Sequence, residues 1–205
     1  GVYSPAAAAN NPDLPIVAIE PVPQNISRLH LNAAANSFAK IKPIQALITN
    51  KSGPSKFHMV NAPGYMTQGG SVETHKKGYS TMSIRGIAVD ESFKFGDSEP
   101  NLIKIDTEGH EYAAIIGMQN LIKKTRPTLL IECNQEDTAQ KLNTLKNSLD
   151  GYDIFVIDEA DGLLTKVSKF DVRRNANKQL VREKMNRLLV HRDGDHAQII
   201  KEFRT

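Results

Sequence analysis

Short apolar runs alternate along the chain with stretches whose apolar positions recur three and four residues apart. The runs are IVAIE (16–20), IQALIT (44–49), LIKID (102–106), TLLIEC (128–133) and DIFVID (153–158). Each is apolar nearly throughout and rich in β-branched residues, the pattern of a strand buried on both faces of a parallel sheet. Between the runs, Ile26, Leu29 and Ala33 fall at i, i+3 and i+7, as do Leu142, Leu145 and Leu149. Tyr112, Ile115, Met118 and Ile122 mark a third helical stripe. Alternation of strand and helix predicts an α/β chain with a mostly parallel, doubly wound sheet.

Three segments depart from this alternation. Residues 61–81, NAPGYMTQGGSVETHKKGYST, read as a long polar loop, a candidate lid. VIDEADGLLTKV (156–167) reads as a hairpin turning at Asp161-Gly162. From Arg173 to Thr205 there are nine Lys/Arg against four Asp/Glu. That portion (173–205) is expected to hold a helix around Leu180, Val181 and Met185, a strand at 188–190, and a last helix at Ile199, Ile200 and Phe203. Its cations interleave with acids and helix stripes, so it reads as a solvated face of the same domain.

Composition narrows the class. With 205 residues, the chain is expected to form one domain over 1–205. It is 40% hydrophobic and 24% charged, as in a soluble globular protein. No apolar run approaches the ~20 residues that span a bilayer, and no signal-peptide pattern is visible. Cys133 is the single cysteine, which excludes a disulfide framework and fits a cytoplasmic location. A net charge of +3 is too small to imply a nucleic-acid or other polyanionic partner.

The chemistry gathers where strands end. In open α/β sheets, ligands lie outside the carboxyl ends of the strands. Here those ends carry Glu20, Thr49-Asn50, Asp106 and Glu132. An acid in the place of Glu20 suits the two hydroxyls of a ribose, with Pro21 and Pro23 stiffening the turn behind it. The stretch IDTEGHE (105–111) puts Glu108, His110 and Glu111 around Gly109 at a strand–helix junction. Three readings compete there. Asp106 or Thr107 caps the helix, with Glu108 and Glu111 favouring its positive end. Alternatively Asp106, Glu108 and His110 alternate on one side of an extended segment and hold a divalent ion. In the third reading the cluster binds and deprotonates a hydroxyl, with His110 as the base and Glu108 or Glu111 supporting or replacing it.

The order GVYS…IVAIEPVPQN…ALITNKSG…KIDTEGHEYAAIIG…RPTLLIE resembles the FkbM-type S-adenosylmethionine-dependent methyltransferases, from the start to about Val167. AIEPVPQN (18–25) and KIDTEGHE (104–111) are its most specific parts. The resemblance implies a Rossmann-like class I methyltransferase fold and S-adenosylmethionine as cofactor, a sulfonium donor already activated, so that no metal is required. It implies O-methylation of a small-molecule hydroxyl acceptor, such as a sugar, a polyketide or a related metabolite. By it, Gly1 ends the glycine loop, Glu20 holds the ribose and Thr49 and Asn50 contact the adenine. Asp106 to Glu111 then border the methionine end and the acceptor. The family's D-x-G-A-N start is missing apart from Gly1, so the first strand is expected to be absent and the chain truncated within the loop. The family's T-L-D reads AVD (88–90), which keeps Asp90. A truncated, non-catalytic binding module and an NAD-dependent oxidoreductase are the alternatives.

Overall fold

A computed structural model describes residues 2–60, 70–71, 79–94, 99–145 and 147–202. The chain divides into two compact units, Gly1–Ile87 and Ala88–Thr205. Gly1 and most of the 61–81 segment lie outside the described residues.

The first unit runs α1 (Tyr3–Asn10), β1 (Ile16–Glu20), α2 (Pro23–Ala35), β2 (Ile41–Gln45), β3 (Leu47–Ile48), β4 (Gly53–Val60), β5 (Gly70–Ser71) and β6 (Tyr79–Ile87). β1 matches the IVAIE run, and IQALIT divides between β2 and β3. β1 and β2 pair in parallel, with Glu20 opposite Gln45. The stripe Ile26, Leu29 and Ala33 of α2 is buried and packs with Ala8 of α1 and Ile41 of β2. Pro23 opens α2 at its first turn, where a missing N–H goes unnoticed. β6 lies between β3, parallel to it, and β4, antiparallel, and β4 also pairs with β5. Residues 79–81, expected in the polar loop, therefore start a strand.

The second unit runs α3 (Val89–Ser92), β7 (Leu102–Ile105), α4 (Glu111–Ile116), α5 (Gln119–Thr125), β8 (Thr128–Glu132), α6 (Glu136–Leu142), β9 (Tyr152–Ile157), β10 (Leu164–Val167), β11 (Asn186–His191) and α7 (Ala197–Glu202). The sheet order is β10-β9-β11-β8-β7. β8 is an interior strand between β11 and β7, and Leu129 and Ile131 are fully buried, as its continuous apolar run requires. Cys133 follows it as a buried thiol, its pKa pushed up to about 11 by burial. The hairpin at Asp161-Gly162 forms, with Leu164 opposite Ile157 and Gly162 at φ 77.

The sheets are mixed, against the expectation of a mostly parallel one. Among the described residues, β1–β2, β3–β6 and β7–β8 are parallel, and the other five pairings are antiparallel. β7, β8 and β9 do run in one direction, but β11 enters between β8 and β9 antiparallel to both. The segment after β10 returns to the carboxyl edge, where Glu159 N–H donates to Glu183 O at 2.8 Å, so β11 starts from that edge. A strand starting there must run backwards.

Tertiary contacts also override three helix expectations. No α-helix forms around Leu180–Met185. Arg174 bridges Leu180 instead, Asn175 Oδ1 accepts from Asn177 and Gln179 N–H, and a 3-10 turn covers Arg182–Lys184. The Leu142–Leu149 stripe stops at Leu142, because Asn143 exchanges two 2.8 Å hydrogen bonds with the Phe170 backbone. The 112–122 stripe splits into α4 and α5 at Gly117-Met118.

That last break is held from outside. Asp90 Oδ2 accepts from Asn120 N–H at 2.8 Å and Oδ1 from Leu121 N–H at 2.9 Å, satisfying two first-turn donors of α5 that no local side chain caps. Asp90→Ala should therefore lower the unfolding free energy by about 1–2 kcal/mol, as loss of a cap does. Asp90→Asn, with one acceptor left, should retain about half of that. Denaturant titration of the three proteins checks this, and equal stabilities would show the cap to be idle.

Candidate functional site

In the parallel pair β7–β8, Ile105 stands opposite Ile131, so Asp106 and Glu132 end their strands side by side. β11 lies on the other side of β8 with Asn186 opposite Glu132. Neighbouring strands are about 4.8 Å apart and the side chains of one row share a face. Asp106, Glu132 and Asn186 thus form one row, and Lys104, two residues before Asp106, lies on the same face. Lys104 Nζ donates to Asp106 Oδ2 at 3.2 Å and to Asn186 Oδ1 at 3.2 Å. Asn186 is 6% exposed and donates its Nδ2 to Glu159 Oε1. Asn134, just past β8, donates Nδ2 to Glu132 Oε2 at 2.9 Å.

The chain leaves β7 through a left-handed turn, with Glu108 at φ 53 and Gly109 at φ 100. The extended Asp106–His110 segment needed by the expected metal set does not form. Gly109 is required here: its φ disfavours any side chain, and a Cβ would meet Gln135 Oε1 at 2.9 Å. The expectation of Asp106 or Thr107 as helix cap is also corrected. His110 occupies the N-cap of α4 and makes no side-chain cap bond. Asp106 is engaged by Lys104, and Thr107 serves Glu111. Glu111 is 1% exposed, and its Oε1 accepts from Thr107 N–H at 3.0 Å, Thr107 Oγ1 at 3.1 Å and Gly109 N–H at 3.2 Å. Glu111 reaches back from the first helical residue to shape the turn.

The turn carries Glu108 to the strand-end row. Oxygens of Asp106, Glu108 and Glu132 lie within 4.8 Å of one another. Among the described residues, this set of hard oxygen donors is a group that could hold a divalent cation, with Glu132 where His110 was expected. Desolvation raises the Glu108 pKa, the charges of Asp106 and Glu111 add to it, and a hydrogen bond from Asn134 opposes it. Glu132 is pushed up to about 7, first by desolvation and then by Asp106 and Glu108, against the pull of Lys104. Lys104, Asn134 and Asn186 were not among the residues singled out from sequence. Only the register of β7, β8 and β11 brings them to the edge, although Glu132 was visible as a strand-end acid.

In the first unit, Glu20 ends β1, and its Oε1 accepts from Val22 N–H at 2.8 Å, which fixes the carboxylate at the strand end. β2 runs parallel beside it, and Thr49 and Asn50 follow β3, which belongs to the unit's other sheet and pairs in parallel with β6. Thr49 is 7% exposed and its hydroxyl donates to Lys51 O at 2.8 Å, so that group is committed inward. Asn50 is exposed.

A family model described as the methyltransferase FkbM domain matches residues 3–190. The chain belongs to this family. Hexuronic acid methyltransferase AglP of Haloferax volcanii is 28% identical over 109 residues, which are 53% of this chain and 43% of that protein. The crystal structure of methyltransferase FkbM from Methylobacillus flagellatus aligns with a TM-score of 0.57 and 15% identity, over 93% of this chain and 40% of that one. The second likeness is one of fold. The chain spans less than half the length of either protein. Among the described residues, no helix is long and apolar enough to cross a membrane.

The raised Glu132 pKa sets a pH dependence. Between about pH 4.5 and 7 the native state holds a proton that the unfolded chain has released, so stability falls as pH rises through this window. Glu132→Gln is neutral throughout, and should gain about 1 kcal/mol on wild type between pH 5 and 8, well under the full shift because the carboxyl is partly solvated. Denaturant titrations at the two pH values measure this. A difference that does not change with pH would remove the strain from Glu132.

Proposed function

We propose that the chain is an S-adenosylmethionine-dependent methyltransferase domain that methylates a hydroxyl of a small, carbohydrate-like acceptor. The observation that carries this reading is the carboxylate edge of Asp106, Glu108 and Glu132, formed by the family's acidic stretch and the end of β8. The named activity of AglP on a hexuronic acid supports a sugar acceptor. A small molecule also fits the surface charge better than a polyanion. Arg173, Arg174 and Lys184 are paired with Asp171, Glu136 and Asp158.

The residues of the first unit fit the nucleoside part of the cofactor in part. Glu20 is fixed at its strand end, as ribose recognition requires, and Asn50 is accessible for the adenine, whereas the Thr49 hydroxyl is not. When bound, S-adenosylmethionine supplies an already activated methyl group. The chain's own work is to align the acceptor, which supplies several kcal/mol, and to take its proton. His110, half-buried at the N-cap of α4, is assigned as the base, with Glu108, two residues earlier in the chain, as its supporting carboxylate. Glu111 is assigned to the turn and not to proton transfer. A metal-assisted reading has the trio to recommend it: Asp106, Glu108 and Glu132 would hold the ion and orient the acceptor oxygen.

Calorimetry with S-adenosylmethionine and NAD separates the proposal from an oxidoreductase. Glu20→Ala should weaken S-adenosylmethionine binding by about 1–3 kcal/mol, and unchanged affinity would sink the ribose assignment. In methyl transfer to uronic-acid acceptors, His110→Ala should slow turnover ~10²–10⁴-fold with little loss of stability. Wild-type turnover in that variant, together with inactivity of Glu108→Gln, would move the base to the carboxylate. Inactivation by a chelator, reversed by added magnesium, would favour the metal-assisted reading.

A further inference from the structure

We propose that Asn186 is a positioning residue for this edge: it holds the Lys104 ammonium against Asp106, so that the ammonium sets how much negative charge the edge presents to a bound cation. The inference rests on the reading of the Asp106–Glu132 edge as the transfer site. It comes from β11, which none of the motif residues occupies. Asn186 is 6% exposed and has both ends of its amide engaged. Its Oδ1 accepts from Lys104 Nζ at 3.2 Å and its Nδ2 donates to Glu159 Oε1. The amide is therefore locked in one orientation, with its acceptor toward β7. Lys104 spends a second donor on Asp106 Oδ2, also at 3.2 Å. A lysine side chain is long and carries much rotamer entropy, and a solvated ion pair holds it weakly. The buried amide supplies the constraint that the pair lacks. The chain Glu159–Asn186–Lys104–Asp106 thus runs from the β9–β10 turn, through β11, to the end of β7.

The physical consequence is a graded charge. With Lys104 in place, one ammonium offsets three carboxylates. Released to solvent, it offsets them less. A ligand that differs from another in one positive charge reads this directly, and S-adenosylmethionine and S-adenosylhomocysteine are such a pair, since only the first carries a sulfonium. A general loss of structure weakens both, whereas a change of local charge moves their ratio.

The experiment is calorimetric titration of wild type, Lys104→Met, Lys104→Arg, Asn186→Leu and Glu159→Gln with both ligands. In Lys104→Met the affinity ratio of S-adenosylmethionine to S-adenosylhomocysteine should rise about five- to tenfold, the effect of one partly screened charge. Asn186→Leu should shift it in the same direction by less. Lys104→Arg keeps the charge and should stay near the wild-type ratio, whereas Glu159→Gln keeps an acceptor for the Asn186 amide but removes a carboxylate, so its ratio should move slightly down, opposite to Asn186→Leu. If both ligands bind and the ratio is unmoved in Lys104→Met and Asn186→Leu, the proposal is wrong. A second measurement needs no ligand. If Asn186 holds Lys104, the double variant Lys104→Met/Asn186→Leu should melt no lower than the less stable single variant. Melting losses that simply add overturn the clamp. Failure of wild type to bind either ligand overturns the functional reading instead, and the melting cycle then decides the clamp by itself.

Discussion

The structure of this edge depends on one register. Because β7 and β8 are parallel with Ile105 beside Ile131, the strand-end carboxylates of Asp106 and Glu132 are forced into adjacent positions of one row. Two unit charges about one strand spacing apart repel by roughly 3 kcal/mol at an effective dielectric constant near 20. The protein offsets this in three ways. Lys104 brings a positive charge to Asp106, Asn134 donates to Glu132, and Glu132 keeps a proton up to about pH 7. A strand end serving only the fold has no use for such an arrangement. A local conflict whose compensation draws on two other segments of the sheet is where function is to be sought.

The turn after β7 obeys a second constraint, and it separates residues that look alike in sequence. Asp106, Glu108 and Glu111 are three acids within six positions, yet each is placed by a different force. Asp106 is held by strand register. Glu108 adopts a left-handed conformation that costs a non-glycine residue about 1 kcal/mol, and its carboxylate thereby joins the row. Glu111 is buried and accepts three hydrogen bonds through one oxygen, which stabilises the very turn that strains Glu108. The acid furthest along the chain thus positions the one in the middle.

What was legible in the sequence follows from which forces are local. The five apolar runs mark five strand regions, and the Ile26–Leu29–Ala33 stripe is a buried helical face, because burial of a periodic face is written into neighbouring residues. The Asp161-Gly162 turn was legible for the same reason. The antiparallel β11 was not, since its LLV core says nothing of direction, and direction is fixed by where the preceding segment delivers the chain. The helix expected near Leu180 gave way to an Asn175-centred turn. The split of α4 from α5 depends on Asp90, some thirty residues away. At the candidate site the acids were visible and their grouping was not. Glu132 stands 26 positions from Asp106 by subtraction of their numbers, and no spacing rule joins residues that meet across a parallel pair.

The charge at the edge bears on which occupants it suits. Three carboxylates and one ammonium leave two net negative charges, and a proton on Glu132 leaves one. A set so poised favours a cation without committing to a divalent ion, because the protonated form matches a single positive charge and the ionised form a double one. Of the three, Glu132 is the half-buried one and Asp106 and Glu108 are exposed, so the cost of uncompensated charge falls mainly on Glu132. The two readings of the site, methyl transfer assisted by the protein alone and transfer assisted by a metal, are therefore alternatives of charge balance at one set of residues rather than rival locations. Lys104 weighs on that balance from within the fold, and its own position is set by an amide on a strand that carries none of the family's motif residues.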